Sequence, residues 1–116
     1  MSKPRILVVD DDENLRWILQ TQLEDMGYEA STAADGLQAL EAIEQSPPSL
    51  VLTDLKMPGL SGMELLDRIR KEYPEVPVVI VTAFGTIQSA VHAMRAGADD
   101  YLTKPIDFEE LGLVVD

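Results

Sequence analysis

Five polar residues stand where short apolar runs stop. Asp10 and Asp11 close ILVV, Asp54 closes LVLT, Thr82 closes VVIV, and Lys104 follows YLT. Carboxylates brought to one place repel each other, so such a set is tolerated when a hard cation or a fixed ammonium neutralises it. Magnesium suits these donors, because it prefers oxygen and takes one or two carboxylates together with phosphate oxygens. Lys104 would supply a second positive charge. The group as a whole suits phosphoryl transfer to a carboxylate, an in-line reaction that needs positioning and charge neutralisation more than covalent help. Asp54 would be the nucleophile. Asp11 would bind magnesium directly and Asp10 partly through water, while Lys104 pairs with one phosphoryl oxygen and the Thr82 hydroxyl donates to another.

The elements that must carry these residues can be read from hydrophobic period and breakers. Ile6 to Val9 reads as a strand buried on both faces. Leu15, Ile18, Leu19, Leu23 and Met26 then recur at helical spacing from Glu13 to Met26, with Gly27 as a stop. Tyr28 to Ala33 is a second strand, and after Asp35-Gly36 a helix carries Leu37, Leu40 and Ile43 as far as Pro47-Pro48. Leu50 to Leu52 leads to Asp54 and the turn signals Pro58, Gly59 and Gly62. Met63, Leu65, Leu66 and Ile69 form a third helix ending at Tyr73-Pro74. Val78 to Val81 is a fourth strand. Thr86 to Gly97 reads as a helix with Ile87, Ala90, Val91 and Met94 inward, followed by a short strand at Tyr101-Leu102. Asp107 and Glu110 resemble a capping box opening a fifth helix that is cut short at Asp116. Five strands alternating with helices predict a doubly wound α/β domain with a parallel sheet, a single domain over residues 1–116. In open sheets of this kind ligands bind beyond the carboxyl ends of the strands, where the five polar residues lie.

Composition narrows the alternatives. A formal net charge of −12 at pH 7 opposes direct contact with nucleic acid or anionic lipid. There is no cysteine, which removes disulfides, thiolate metal sites and cysteine nucleophiles and agrees with a reducing cytoplasm. No signal-peptide pattern or membrane-length apolar stretch is visible.

The fragments ILVVDD, LTDLKMPGLSG, VVIVTA and DDYLTKP, in this order and at matching strand ends, resemble the bacterial response-regulator receiver family over essentially the whole chain. The resemblance implies the flavodoxin-like sheet order 2-1-3-4-5. It also implies Asp54 as the phosphorylation site, Asp10 and Asp11 as the acidic pocket, and the Lys56 backbone carbonyl as a further magnesium ligand. The triple Asp permits a register one residue later, with Asp11 and Asp12 in the pocket, but counting from ILVV favours Asp10 and Asp11 and leaves Asp12 as a helix cap. Thr82 and Tyr101 are implied as the switch pair, and the Lys104-Pro105 bond as cis. The implied partners are a sensor histidine kinase as phosphoryl donor, a second receiver in a homodimer, and an output domain in the same protein that regulates transcription. TAFGTIQSAVHAMRAGADDYLTKPIDFEEL together with LRWIL looks like the receivers of nitrogen-type activators that work with the alternative sigma factor. In those, an ATPase and a DNA-binding domain follow the receiver, so the chain reads as an N-terminal fragment of a longer regulator.

Plainer and competing readings of the same residues exist. A lone Asp at a strand end is commonly a turn residue, Thr82 could be an ordinary β-branched strand residue, and Tyr101 could be core with a wet tip. His92 is assigned no role, and Trp17 is placed in core packing. Lys56 and Phe84, two residues beyond Asp54 and Thr82, could shield an acyl phosphate from water and slow its loss. A haloacid-dehalogenase-like phosphatase would need a second Asp two residues after the nucleophile; that position is Lys56, so no general acid supports turnover. Accordingly the chain is not expected to be an enzyme beyond its own phosphotransfer and autodephosphorylation. A flavin or nucleotide module would need a glycine-rich rather than an acidic first loop, and no Gly-Lys-Ser or Gly-Lys-Thr loop for ATP occurs. A phosphorylation-independent interaction module and a stand-alone receiver remain the alternatives.

Overall fold

The computed structural model describes residues 3–83 and 86–115. Strands and helices alternate: β1 (Arg5–Val9), α1 (Glu13–Asp25), β2 (Glu29–Ala33), α2 (Gly36–Gln45), β3 (Leu50–Thr53), α3 (Gly62–Glu72), β4 (Val78–Thr82), α4 (Ile87–Arg95), β5 (Asp100–Thr103) and α5 (Phe108–Val115). Helix starts follow the capping residues, because the first amides of a helix lack intrahelical partners. Asp12, Asp35, Ser61 and Thr86 each accept from amides of the following turn, and Ser61 with Glu64 forms a reciprocal box. Asp107 accepts from the amides of Glu109 and Glu110 at the start of α5. At the end of α1, Gly27 takes a φ of 97°, a left-handed conformation that a side chain would strain.

All pairings are parallel, in the order β2-β1-β3-β4-β5. This is the order implied by the resemblance. Strand residues alternate between two cores, as a pleated strand requires. Leu7, Val9, Val51, Val78 and Ile80 pack with Ala39 and Ile43 of α2, Leu65, Leu66 and Ile69 of α3, and Ala93 of α4. Ile6, Val8, Leu52, Val79 and Val81 pack on the other face with Leu19 and Leu23 of α1 and Leu111 of α5. Because β3 and β4 are buried at every position, their ends are fixed platforms for whatever follows. No described helix is long and apolar enough to cross a membrane.

Three expectations about helix faces are corrected. Ile87, Val91 and Met94 of α4 point outward, with Ile87 85% exposed. Two stripes compete on this helix, and the small one wins: Ala93 is fully buried and Ala90 half-buried, which lets the backbone lie close to the sheet. Trp17 is not core, being 66% exposed. It sits two residues before buried Leu19, which at 3.6 residues per turn is about 200° round the helix. Ile18 and Leu37 are likewise exposed, leaving Leu19 and Leu23 to bury α1 and Ala39 and Ile43 to bury α2.

Candidate functional site

Register brings the strand-end residues together. Val9 pairs with Thr53, so the next residues on the two central strands are Asp10 and Asp54. Backbone bonds extend the pairing past the strands: Asp10 N donates to the Ala33 carbonyl at 3.2 Å and Asp54 N to the Val9 carbonyl at 3.0 Å. On the other side Thr82 pairs with Thr103, and Lys104 N donates to the Thr82 carbonyl at 3.0 Å. The Lys104-Pro105 peptide is cis.

Lys104 Nζ lies 2.8 Å from Asp10 Oδ2 and 3.0 Å from Asp54 Oδ2, bridging the two buried acids. The remaining carboxylate oxygens face backbone donors. Asp54 Oδ1 accepts from Leu55 N at 2.7 Å and from Lys56 N at 3.4 Å, and Asp10 Oδ1 accepts from Asp12 N at 2.9 Å. Asp10 and Asp54 are 3% and 5% exposed, whereas Asp11 is open to solvent. Burial pushes the Asp10 carboxyl above its ordinary range; the Lys104 ammonium and the Asp12 amide oppose the rise and the Asp54 charge adds to it. Burial would lower the Lys104 ammonium, but its bonds to Asp10 and Asp54 outweigh that and raise it.

Asp10, Asp11 and Asp54 can each offer an oxygen within 4.8 Å of the others. Lys104 pairs with two of these carboxylates and Asp11 brings a third acid to the same place, a gathering of negative charge that a divalent cation would neutralise. The donors are all oxygen and one of them is open to water, which fits magnesium, a cation that keeps part of its hydration shell. Beside Asp11, a depression of about 390 Å³ is lined by Leu55, Lys56, Met57, Pro58 and Ser61. Lys56 thus lies next to the acidic group, with an exposed side chain. Asp12 stands apart, its carboxylate capping α1 through the amides of Asn14 and Leu15 at 3.0 and 3.3 Å.

Thr82 is fully buried at the end of β4. Tyr101 is half-buried on β5, opposite Ile80, with its phenol oxygen 2.9 Å from Ser89 Oγ on α4. Phe84 lies outside the described residues. Three contributors carry no site role in the sequence. Arg16 donates through Nη1 to the Asp10 carbonyl at 2.7 Å. Ser89 meets Tyr101. Gly62 packs so close to the Asp54 carbonyl that a Cβ there would lie 1.9 Å from the oxygen. Only Gly62 left a signal, and it reads as an ordinary turn glycine.

Comparison with known proteins gives the same picture. The family model described as response regulator receiver domain matches residues 6–116. The DNA-binding transcriptional regulator NtrC of Escherichia coli (strain K12) is 39% identical over 116 residues, covering 100% of this chain and 25% of that protein. The transcriptional regulatory protein ZraR of Klebsiella oxytoca is 44% identical over 110 residues, 95% of this chain and 25% of that one. The chain therefore spans about a quarter of the length of these regulators. Among solved structures, the receiver domain of NtrX from Brucella abortus superposes with a TM-score of 0.90 at 44% identity, covering 95% of this chain and 93% of that one. The chemotaxis protein CheY4 of Vibrio cholerae gives a TM-score of 0.92 at 28% identity, covering 98% and 97%. With the family model matched over residues 6–116 and five parallel strands in the order β2-β1-β3-β4-β5, the chain belongs to the response-regulator receiver family of two-component systems.

Proposed function

We propose that the chain is a phospho-accepting switch charged on Asp54. The observation that carries this reading is the Lys104 ammonium held between Asp10 and Asp54 at the carboxyl edge of the sheet. An Asp54 carboxylate oxygen attacks the phosphorus of a phosphohistidine on a sensor kinase. The new O–P bond forms as the P–N bond breaks, and the imidazole leaves. Asp11, Asp54 and the Lys56 carbonyl would hold magnesium, with Asp10 acting partly through water, and the ion when bound would neutralise charge on the transferring group. Lys104 exchanges a carboxylate partner for a phosphoryl oxygen, and the Thr82 hydroxyl donates to another.

The readout follows from the same neighbourhood. Drawing Thr82 toward the phosphoryl group frees space next to Tyr101, whose ring leaves Ser89 and moves inward. The α4 and β5 face then changes its fit for a second receiver or for an output domain. The similarity to NtrC and ZraR supports a transcriptional output, with residues 1–116 acting as one receiver domain in a longer, cytoplasmic regulator. Phosphoryl loss is slow where Lys56 covers the acyl phosphate, and the chain turns over no outside substrate.

The test is incubation with acetyl phosphate, with and without magnesium, followed by intact mass measurement of the parent and of Asp54→Ala. One added phosphoryl group that needs magnesium and is lost in the variant is the expected result. No gain in the parent would leave an interaction module that works without phosphorylation.

A further inference from the structure

Arg16 is the fourth residue of α1, in the first turn of the helix. The helix dipole disfavours a cation there. Its guanidinium nevertheless turns back toward the acidic loop and donates to the Asp10 carbonyl at 2.7 Å in a part-buried setting. That carbonyl belongs to the peptide joining Asp10 to Asp11, the two acids contributed by the first loop. The rest of Asp10 is already fixed, its amide by the Ala33 carbonyl and its Oδ1 by the Asp12 amide. With Lys104 Nζ on Oδ2 as well, Arg16 supplies a fourth restraint on the same residue, and the one that acts on its carbonyl. Asp11 is exposed, so the direction of its carboxylate depends on how its backbone is held.

The backbone that carries the guanidinium is firmly anchored. Arg16 N donates to the Asp12 carbonyl at 3.0 Å, Asp12 caps the helix, and Leu19 and Leu23 bury the following turns. The link thus runs from a packed helix to the peptide plane that aims Asp11. We propose that Arg16 is a positioning residue for the cation site, holding the Asp10-Asp11 peptide so that Asp11 stays within reach of Asp10 and Asp54. This inference rests on the magnesium-dependent reading given above. Two effects of opposite sign separate it from a bland role. A nearby positive charge repels a metal ion, so charge alone predicts tighter binding when Arg16 is removed. Positioning predicts weaker binding, because groups that orient a ligand's backbone govern metal affinity.

Magnesium affinity is measured by calorimetry and by amide shifts of Asp11 in nitrogen-15 spectra, at constant ionic strength, for the parent, Arg16→Met and Arg16→Lys. Thermal unfolding of the same samples sets a temperature at which every variant is folded. The expected result is a loss of about tenfold in affinity for Arg16→Met, the lower end for groups that orient metal ligands. A loss also for Arg16→Lys, which keeps the charge but not the planar fork, is expected. Unchanged or tighter binding in Arg16→Met, with or without a lower Tm, would overturn the positioning role while leaving the site reading intact. A parent that binds no magnesium would overturn both.

Discussion

The Tyr101 phenol and the Ser89 hydroxyl meet at 2.9 Å, fastening a ring on β5 to the first turn of α4. Ser89 Oγ also accepts from Thr86 N at 3.0 Å and donates to the Thr86 carbonyl at 3.1 Å. With the serine proton on that carbonyl, Tyr101 is the donor in the pair. The ring is therefore held half out by one neutral hydrogen bond, worth about 1 kcal/mol net.

Loss of that bond should favour the inward ring before any phosphoryl transfer. Ser89→Ala is expected to change the ring's equilibrium about fivefold, the equivalent of roughly 1 kcal/mol. Tyr101 ring resonances should move toward those of the phosphorylated parent. Resonances that stay at the resting values would show that Ser89 does not restrain the ring.

The raised Asp10 carboxyl has a definite consequence for stability. Its folded pKa lies above the unfolded value of 3.8, so its contribution is full below that value and is lost as pH rises through the folded one. At neutral pH the ionised Asp10 therefore costs stability. Asp10→Asn should stabilise the fold at neutral pH, because the uncharged amide escapes the burial penalty on the carboxylate while Lys104 keeps Asp54 as its partner at 3.0 Å. The advantage should shrink as pH falls toward 3.8. Urea unfolding of both proteins across that range is the check; an advantage that grows on acidification would contradict the sign.

Gly62 gives a steric prediction. An alanine Cβ would lie 1.9 Å from the Asp54 carbonyl oxygen and 2.8 Å from Leu55 Cα, all backbone that cannot swing away. Gly62→Ala should cost about 1–3 kcal/mol, as overpacking does, and should slow acetyl phosphate labelling by shifting Asp54. Gly112 is the contrast. It lies within α5, and a Cβ there meets Met26 Cε at an ordinary 3.4 Å. Gly112→Ala should hold or gain stability, up to about 1 kcal/mol from helix propensity. Equal losses at both positions would remove the steric argument.

Exposure of Trp17 predicts a small effect on stability. Trp17→Ala should change stability by less than about 0.5 kcal/mol, the usual range for surface positions. A core tryptophan would cost about 3–5 kcal/mol. Chemical denaturation followed by far-ultraviolet circular dichroism distinguishes the two.

What could be read in advance follows a physical pattern. Runs such as ILVV and VVIV are apolar at every position because both sheet faces are covered, and their sudden change to Asp or Thr marks the sheet edge. That transition is local, so Asp10, Asp54, Thr82 and Lys104 were visible. Strand order came with the family resemblance, since periodicity carries no order. On α4 the expected inward set holds only for half-buried Ala90, because Ile87, Val91 and Met94 make a stripe as regular as the one through Ala93, which is buried instead. Arg16 and Ser89 were invisible for another reason: their partners are the carbonyl of a loop and a ring twelve residues away, contacts that exist only after folding. Gly62 was seen as a turn when its need is lack of volume.

The bond from Lys104 to Asp10 joins residues 94 positions apart. On a ribosome, β1 and β3 emerge with their carboxylates long before the ammonium that belongs between them. Closing so long a loop must await docking of β5, the last strand in the chain order and one edge of the sheet. A nascent or partly folded chain therefore presents acids without their counter-ion. The bridged pair of acids, once assembled, certifies that the fifth strand has been made and docked.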